Sequence, residues 1–583
     1  MITYRCEKDN IEVNTSVCPH CGERAFPYKS EIYWCKSCQI PNYNTICPIC
    51  KKEGKKFATD VRPVFPEEKI LLECIMRQQK EQGIAINGPD CLKEVSVWNA
   101  TGNNYYGNGN KLGIRISALR TLDMERIKKE YNQAVLEKLD EYQLFFEKNI
   151  EKFIVANKLR YQMIENEALS YIRKQGERYP VQDMMISFSG GKDSTVVADL
   201  VTRALGDGDK KILHIFGDTT LEFPSTYAYV ERYKKQHPKT PVLSSRNKDK
   251  DFMELCKTIG PPSRVMRWCC TIFKTGAITR KIEKLFRNKK HIVTFYGIRR
   301  SESASRSKYE KESQSPKITK QTVVSPVIDW YDFDIWLYLL TRGIDFNEAY
   351  RWGYARVGCW CCPNNSQWSE FLSKIHIEQQ YNAFRQQLIE FATQIGKPDP
   401  EDYVDDGKWK ARQGGNGVEM AQKSVISFTP CATEENSFNY ELQRPITDEF
   451  YELFKPFGWL DFTLGNPRLG EVYVKDRGGN LLLKLQGRKG KKQLKVTIYQ
   501  HRIAGARSLK VAEERIKCQI TKYQMCMGCL ACEGVCKHGA ISIKEKNGEV
   551  NYQIFDHKCV RCGECVAHFN VGCYMRKVLA IKR

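Results

Sequence analysis

The sequence has no long apolar run and no secretion signal. Its 583 residues contain no stretch of about 18 uninterrupted apolar residues, the length that a transmembrane helix needs. The first ten residues, MITYRCEKDN, lack the apolar core of a signal peptide. We therefore expect no transmembrane helix and no membrane partner, and we expect a cytoplasmic protein.

Acidic residues are fewer than basic residues in this sequence. The sequence contains 69 Asp and Glu against 92 Lys and Arg, which gives a net charge of +23 at pH 7. A basic protein suits polyanionic partners or phosphorylated substrates, although general solubility alone would also account for the charge. Apolar residues make up 42% and charged residues 28% of the chain, which is typical of globular proteins. A chain of this length is expected to contain several domains.

Glycine and proline are missing from residues 114–175. Leucine, isoleucine, tyrosine and phenylalanine recur there at three- and four-residue intervals, with charged residues between them. This spacing predicts at least two amphipathic helices within a helical linker, residues 114–180. The helices are expected to pack on the neighbouring domain, because the pattern lacks the sustained heptad of a coiled coil.

Disulfide bonds are not expected, although the chain contains 25 cysteines. Thiols stay reduced in the cytoplasm, and most of these cysteines form C-x-x-C pairs, which is the pattern of metal ligands. Two such units lie in residues 1–56, and paired thiolates of this kind bind a tetrahedral ion, usually zinc. The predicted ligands are Cys6, Asp9, Cys18 and Cys21 in the first unit, and Cys35, Cys38, Cys47 and Cys50 in the second.

One or two zinc ions are expected in these tandem ribbons. The first unit has Asp9 where a fourth cysteine would stand, and His20 is an alternative ligand. A first unit without metal is the other possibility. Ribbons this small need their metal to fold, and we assign them a structural or binding role rather than catalysis.

Residues 184–205 contain the motif around which the rest of the chain is arranged. The apolar run Met184–Phe188 predicts a buried strand, and Thr195–Leu205 predicts a helix. The loop between them, SGGKDS, has paired glycines that let backbone N–H groups approach an anion, and the helix N-terminus adds donors and a favourable dipole. Lys192 adds a charge. The loop lacks the spacing of a Walker A motif, so we interpret it as an exposed phosphate-binding loop of another kind.

The loop sequence SGGKDS is the signature of the PP-loop ATP pyrophosphatases, and the sequence after it resembles the PAPS-reductase-like branch of that superfamily. The matching segments are DTTLEFP at 218–224, GIRRSES at 297–303, SPVIDW at 325–330, Gly353-Tyr354 and GCWCCP at 358–363. The resemblance covers roughly residues 181–365. It implies a multidomain α/β protein whose central domain, residues 181–375, is a parallel sheet of the adenine nucleotide alpha hydrolase type, with ligands at the carboxyl ends of the strands.

The resemblance also implies the residues of a nucleotide site that binds ATP with Mg²⁺. The catalytic residues would be Lys192, Asp193, Ser194 and Asp218, with Asp218 beside the phosphates as a magnesium ligand. The nucleotide-binding residues would be Ser187, Phe188, Ser189, Gly190, Gly191, Lys192, Asp193, Ser194, Asp218, Thr219, Gly297, Arg299 and Arg300. The two arginines would clamp phosphate, and surface ion pairing is their alternative role.

Four cysteines of this domain resemble the [4Fe–4S] arrangement of the assimilatory APS reductases. They are Cys269 and Cys270, followed by Cys359 and Cys362 in a C-x-x-C pair. Thiolates suit iron–sulfur clusters and zinc alike, and Cys361 is a competing ligand. Buried thiols without a ligand are the alternative.

The C-terminal segment, residues 516–583, resembles a two-cluster bacterial ferredoxin of the α+β class. In that fold the fourth cysteine of each run binds the other cluster. The resemblance therefore implies one cluster on Cys526, Cys529, Cys532 and Cys573 and another on Cys536, Cys559, Cys562 and Cys565. Lys537 replaces the usual proline, and the long gap before Cys573 makes that ligand the least secure.

Two regions are less informative. Residues 57–113 predict a small α/β module, and the placement of zinc ribbons before it resembles family members in which this module is a PUA-like RNA-binding fold; an unrelated spacer domain is the alternative. Residues 376–515 predict helices followed by strands. The segment Arg488-Lys489-Gly490-Lys491-Lys492 falls at a predicted hairpin tip, where it is either a phosphate-backbone contact or a solvated turn.

These observations predict an enzyme and leave more than one function open. The favoured hypothesis is ATP-dependent, pyrophosphate-releasing sulfur transfer to RNA or DNA, with iron–sulfur clusters supplying electrons or sulfur and with separate sulfur-donor and electron-donor proteins. An intact SGGKDS loop suits phosphates that leave as pyrophosphate. The alternatives are a reductase that makes sulfite from phosphoadenosine or adenosine phosphosulfate, and a redox-regulated nucleic-acid-binding protein. The string Glu564-Cys565-Val566-Ala567-His568 resembles the reductases' catalytic E-C-G-x-H motif imperfectly, but Cys565 is needed as a cluster ligand.

Overall fold

The computed structural model of this protein describes residues 3–6, 11–13, 17–23, 26–28, 31–206, 211–303, 306–315, 320–411, 423, 425–546, 549–569 and 572–579. Among them, no helix is both long enough and apolar enough to cross a lipid bilayer.

Two small antiparallel sheets form the N-terminal part, each with three strands. Their orders are β2-β1-β3 and β5-β4-β6. The strands are β1 (Thr3–Cys6), β2 (Ile11–Val13), β3 (Phe26–Tyr28), β4 (Ile32–Cys35), β5 (Ile40–Asn42) and β6 (Lys55–Ala58). The second sheet packs through Ile32, Trp34 and Ile40 against aromatic side chains of later elements, including Phe153 and Phe333.

A four-stranded antiparallel sheet with one helix follows. Its order is β10-β9-β8-β7. The elements are β7 (Val61–Pro63), α1 (Pro66–Glu81), β8 (Val97–Ala100), β9 (Asn104–Gly107) and β10 (Asn110–Lys111). Helix α1 begins at Pro66, where proline at the first helical position loses no intrahelical hydrogen bond.

Two long helices, α2 (Met124–Ala156) and α3 (Lys158–Arg178), fill the region predicted to be helical. Asp123 caps α2 by accepting the Arg126 backbone N–H. Helix α3 packs on the central domain, where Arg160 donates two 2.9 Å hydrogen bonds to the buried carboxylate of Asp334. The region predicted to be a helical linker is therefore packed on the central domain.

The central domain is built on a six-stranded sheet of order β13-β12-β11-β14-β16-β15, in which five strands are parallel and the edge strand β15 is antiparallel. The strands are β11 (Met184–Phe188), β12 (Leu213–Gly217), β13 (Val242–Ser245), β14 (Ile292–Phe295), β15 (Glu312–Gln314) and β16 (Gln321–Val324). The helices are α4 (Lys192–Leu205), α5 (Pro224–Gln236), α6 (Phe252–Ile259), α7 (Gly276–Leu285) and α8 (Asp332–Arg342). The predicted α/β fold class with a central parallel sheet is confirmed.

Three helices after the sheet, α9 (Gln367–His376), α10 (Glu378–Gln394) and α11 (Pro400–Asp405), lead to a second large sheet. This sheet is antiparallel, with the order β17-β18-β22-β21-β20-β19. Its elements are β17 (Ser427–Pro430), β18 (Ser437–Glu441), α12 (Asp448–Glu452), β19 (Trp459–Asp461), β20 (Glu471–Lys475), β21 (Leu481–Gln486) and β22 (Gln493–Ile498). The basic segment 488–492 forms the tip between β21 and β22, as predicted.

The C-terminal part contains one helix of 17 residues, shorter helices and a hairpin. Its elements are α13 (Leu509–Met525), α14 (Ala531–Val535), β23 (Ile541–Lys546), β24 (Glu549–Ile554), α15 (Glu564–Ala567) and α16 (Tyr574–Leu579). It shares one apolar core with the second large sheet, in which Leu483, Val496 and Ile516 are buried together with Ile543 and Val566.

Candidate active site

The SGGKDS loop connects β11 to α4 at the carboxyl edge of the parallel sheet. The Ser194 hydroxyl folds the loop, because it accepts the Ser189 backbone N–H at 3.1 Å and donates to the Gly191 carbonyl at 2.9 Å. Gly190 has φ +69°, and a Cβ there would lie 2.9 Å from Thr226. Gly297 lies against the same loop, where a Cβ would be 2.6 Å from the Asp193 backbone. Glycine is therefore required on both sides.

Lys192 is buried rather than exposed, which corrects the expectation of a solvent-accessible loop. Only 3% of Lys192 and 4% of Ser194 is accessible. The Lys192 ammonium lies 3.2 Å from the Ala355 carbonyl, 3.4 Å from Asp193 and 3.3 Å from Asp332. The first turn of α4 is covered because the Tyr350 hydroxyl, from the loop after α8, accepts the Lys192 backbone N–H at 3.0 Å.

Arg299 completes an alternating network of two cations and two carboxylates. Its guanidinium contacts Asp193 and donates to Asp332 at 2.7 Å, and Arg299 itself is 4% exposed. Burial alone would favour neutral forms, but the opposite charges outweigh it. As a result the pKa of Asp332 falls to about 2 under the influence of Lys192 and Arg299. All four groups are held ionised, so two cations are fixed at the edge where a nucleotide's phosphates would lie.

Asp60, from the segment between β6 and β7, reaches this network, and no sequence pattern pointed to it. Its two carboxylate oxygens each accept a 3.0 Å hydrogen bond from the backbone N–H groups of Asp332 and Phe333, the first residues of α8. Burial and the neighbouring Asp332 charge raise the pKa of Asp60 to about 7. The N-terminal region therefore anchors the helix that carries Asp332.

Replacing Asp60 is expected to change how stability depends on pH. The folded carboxyl keeps its proton up to about pH 7, whereas in the unfolded chain it loses the proton near pH 3.9. The folded state binds more protons between these values, so the stabilising contribution present at low pH is lost as the pH rises through this window. The thermal midpoint of Asp60→Asn minus that of wild type should therefore increase when the pH is raised from about 5 to about 7.5. Parallel curves for the two proteins would contradict this role.

Two other predicted residues lie outside the ionic network. Arg300 contacts Asp329 and donates to the Tyr309 carbonyl at 2.9 Å, which is the surface pairing considered as its alternative role. Asp218 follows β12 and accepts 2.9 Å hydrogen bonds from the Thr220 N–H and the Tyr227 hydroxyl. Its neighbour Thr219 faces the cysteines of the domain instead.

The cysteines of the central domain lie beside the carboxyl edge of the parallel sheet. The Thr219 hydroxyl is 3.4 Å from the Cys359 sulfur, and Glu222 pairs with Cys359 through a backbone bridge. A hydrogen bond with Cys270 and burial raise the pKa of Cys269, and the thiols of Cys359 and Cys361 add to the shift. The pKa of Cys362 is raised by burial and by Cys270. Cys269, Cys359 and Cys361 lie in one side-chain cluster. A cluster bound by Cys269, Cys270, Cys359 and Cys362 stays a prediction, with Cys361 as a competing ligand.

The C-terminal thiols fall into two groups. Burial raises the pKa of Cys529, and three further thiols, Cys573, Cys532 and Cys526, add to it. Burial likewise raises the pKa of Cys559, with contributions from Cys536 and Cys562. Cys565 neighbours Cys532, Cys536 and Cys559. Two of these neighbours, Cys536 and Cys559, belong to the proposed set of Cys565, and Cys532 belongs to the other set. The crossed ligand sets that the ferredoxin resemblance implies therefore stay a prediction.

The C-terminal part packs against the cysteines of the central domain. Cys529 and Cys573 belong to the same apolar cluster as Cys269, Cys359 and Cys361. The approach is close, since a Cβ on Gly276 would be 2.6 Å from the Cys529 carbonyl. Arg280 of α7 holds the contact by donating to Glu533 and, at 2.7 Å, to the Ile543 carbonyl. Two of the three predicted iron–sulfur sites are therefore neighbours.

Two groups of thiols in the N-terminal region have the geometry of a mononuclear site. The sulfur atoms of Cys35, Cys38, Cys47 and Cys50 all lie within 4.8 Å of one another, as do those of Cys6, Cys18 and Cys21. Four thiols at such separations fit one tetrahedral ion, for which zinc is the usual choice. Asp9, the proposed fourth ligand of the first group, lies outside the described residues.

Removing one ligand of the complete group is expected to release one zinc ion. Cys38→Ser leaves three thiols, and a ribbon of this size depends on its metal for folding. Zinc, measured by mass spectrometry of the purified protein, should fall by about one ion per chain. Cys91→Ser is the control, because Cys91 is exposed and outside both groups. Unchanged zinc in Cys38→Ser would refute the assignment.

Comparison with known proteins gives the family of the central domain. Residues 183–365 match the phosphoadenosine phosphosulfate reductase domain. An uncharacterized protein of Methanocaldococcus jannaschii is 29% identical over 353 residues, which cover 60% of this chain and 78% of that protein. An adenosine 5'-phosphosulfate reductase of Anoxybacillus flavithermus is 29% identical over 187 residues, 31% of this chain and 72% of the reductase.

Among solved structures, the phosphoadenylyl-sulfate reductase of Candida auris is similar at 16% identity, with a TM-score of 0.26, over 33% of this chain and 95% of that one. The family match begins at the strand before the SGGKDS loop and ends just after the C-x-x-C pair. The central domain of this chain therefore belongs to the PAPS-reductase-like family, and the chain is an enzyme of the PP-loop class.

Proposed function

We propose that this enzyme consumes ATP at the SGGKDS loop, releases pyrophosphate and transfers sulfur to a nucleic acid. The proposal depends on one observation: a pair of buried cations and a group of cysteines lie at the same edge of the parallel sheet. Lys192 and Arg299 are buried cations on one side, and Thr219 contacts the cysteine group at Cys359 on the other. Activation by nucleotide and delivery of sulfur or electrons can therefore take place at adjacent positions.

The buried cations Lys192 and Arg299 favour a reaction in which the leaving group is an anion. Pyrophosphate develops negative charge as it departs, and preorganised cations in a water-poor site stabilise such charge strongly. In the free enzyme Asp193 and Asp332 neutralise Lys192 and Arg299. An incoming triphosphate would compete with these carboxylates for the same two cations. The acceptor would then attack the α-phosphorus, and Lys192 would hold the departing pyrophosphate.

The cofactors proposed for this reaction are assigned to residues by donor chemistry. Asp218 would hold Mg²⁺, and the three thiol groups around Cys359, Cys529 and Cys562 would hold [4Fe–4S] clusters. When bound, the clusters would supply electron transfer, or sulfur, beside the nucleotide. An electron-donor protein would dock near Cys562, which is exposed.

A sulfonucleotide reductase is the second candidate, and the relatives favour it. The matched curated relatives include adenosine 5'-phosphosulfate reductases. That chemistry needs reducing equivalents, which fits the cysteine groups packed beside the site. The position of Cys565 argues against it, because this thiol lies among Cys532, Cys536 and Cys559 rather than free to act as the reductases' nucleophile.

Sulfur transfer is tested by mass spectrometry of the acceptor. The anaerobically purified enzyme is incubated with bulk RNA or DNA, ATP, a reductant and a cysteine-derived persulfide donor, and the nucleic acid is digested to nucleosides. The proposal expects an ATP-dependent nucleoside that is heavier by the mass difference between sulfur and oxygen. Sulfite formed from adenosine phosphosulfate, with no thiolated nucleoside, would favour the reductase instead.

A further inference from the structure

We propose that the open face of the second large sheet binds single-stranded nucleic acid. The inference deepens the proposed function and rests on it in one respect, namely that a nucleic acid is the acceptor. Successive side chains of a strand point to opposite faces of a sheet. The buried face of this sheet carries Val472, Val474, Leu483, Leu485 and Val496. The residues between them form the other face.

That other face has a pair of tyrosines in its middle strands. Tyr473 of β20 is opposite Lys484 of β21, and Lys484 is opposite Thr497 of β22, so the three side chains form one row across the sheet. Tyr499, the residue directly after β22, is 45% exposed and stacks on Tyr473 with ring centroids 6.5 Å apart and an interplanar angle of 15°. Exposed rings on a sheet face are platforms on which unpaired bases stack.

The next row carries hydrogen-bonding groups. Asn439 is opposite Lys495, and Lys495 is opposite Gln486. Glu434 packs over this part of the face, where it accepts from the Lys484 ammonium at 3.3 Å and pairs with Lys495 at 2.5 Å. Amide side chains such as Asn439 and Gln486 can bond both to base edges and to sugar or phosphate oxygens.

The basic hairpin closes one end of the face. A groove of about 830 Å³ lies there, and its lining contains three cations, Arg488, Lys491 and Lys495, against the single carboxylate of Glu441. Within the described residues no ion pair engages Arg488 or Lys491, whereas Lys489 pairs with Asp448. Lys495 is paired with Glu434, so Arg488 and Lys491 supply the positive charge of the groove. A groove with two such cations that continues into an aromatic, amide-bearing sheet face is complementary to a polyanion with exposed bases. A duplex would offer the phosphates without the bases.

The test is binding of a fluorescent oligonucleotide of about 16 nucleotides to the full-length enzyme, measured by anisotropy over a series of salt concentrations. Arg488→Glu with Lys491→Glu should weaken binding at least about tenfold and reduce the slope of log affinity against log salt by roughly 0.7 per lost contact. The matched control is Arg477→Glu with Lys510→Glu, which changes two exposed cations outside the groove. The control should keep the wild-type slope.

The tyrosines give an independent arm. Tyr499→Ala should weaken binding by about tenfold at every salt concentration, with the slope unchanged, because stacking releases no counterions. Tyr499→Phe should bind like wild type, since the ring is kept. Equal affinity for single strands and duplex, together with wild-type binding by both Tyr499→Ala and the hairpin variant, would overturn the proposal.

Failure of this inference can be distinguished from failure of the proposed function. Binding of ATP alone depends on the SGGKDS loop and needs no nucleic acid, so the hairpin and tyrosine variants should retain it. If ATP is not consumed, but substitutions at Arg488, Lys491 and Tyr499 still weaken oligonucleotide binding, the surface assignment stands and the ATP reaction is wrong. If ATP is consumed and those variants bind normally, the surface assignment is wrong.

Discussion

Lys192→Ala is expected to lower pyrophosphate release from ATP by roughly a hundredfold to a thousandfold, the usual cost of losing one preorganised group that stabilises developing charge. The lysine ammonium is buried between Asp193 and Asp332, at 3.4 and 3.3 Å. Without it, Arg299 is the one remaining cation of this network. The rate is measured with a coupled pyrophosphate assay on protein purified anaerobically.

Because Lys192 is buried, the variant also tests the fold. Removing one partner of a buried ion pair typically costs about 3–5 kcal/mol, so thermal unfolding must be recorded beside activity. Ser194→Ala is the gentler variant, since it removes the hydroxyl that bonds the Ser189 N–H and leaves the four charges in place. Arg300→Ala is the matched control, because Arg300 pairs with Asp329 outside the network. A folded Lys192→Ala or Ser194→Ala enzyme with wild-type turnover would refute the phosphate-loop assignment.

The second large effect is expected in iron content. Three [4Fe–4S] clusters predict about twelve irons per chain, and Cys529→Ser should reduce this to about eight. The Cys529 thiol lies with Cys526, Cys532 and Cys573, and its loop packs on Gly276 of the central domain. Iron is measured by mass spectrometry, and electron paramagnetic resonance of the reduced protein should lose one signal.

Cys74→Ser is the control for this substitution, because Cys74 is buried within α1 and outside every cysteine group. Its iron content should equal that of the wild type. About eight irons in the wild type would remove the cluster at Cys359 from the account. Unchanged iron in Cys529→Ser would contradict the ferredoxin assignment.

Local sequence patterns predicted the strand-loop-helix around SGGKDS and the grouping of the N-terminal cysteines. An apolar run, two glycines and a helical repeat are all short-range signals, and the C-x-x-C spacing of metal ligands can be read directly from the sequence. Helix α4 begins at Lys192, earlier than the predicted Thr195, because the helix takes in the last part of the loop. Loop residues at such a boundary have no periodicity of their own.

Contacts between residues far apart in the chain could not be predicted from the sequence. Asp60 accepts a hydrogen bond from the backbone N–H of Asp332, which lies 272 positions later in the chain. The residues around Asp60 contain no pattern that predicts this contact with the start of α8. Tyr473 and Tyr499 become a pair only through the register of β20, β21 and β22. The burial of Lys192 likewise depends on Tyr350 and Asp332, which come from loops far along the chain. These features depend on tertiary packing, which a single sequence does not reveal.

The identity of the nucleotide tests the account most directly. The anaerobic enzyme, reduced and mixed with bulk RNA or DNA and a cysteine-derived persulfide donor, is supplied separately with ATP, adenosine phosphosulfate or phosphoadenosine phosphosulfate and assayed for pyrophosphate and sulfite in the same reaction. The account predicts pyrophosphate and AMP from ATP, dependent on Lys192, and no sulfite from either sulfonucleotide. Sulfite from a sulfonucleotide, with ATP left unchanged, would contradict it.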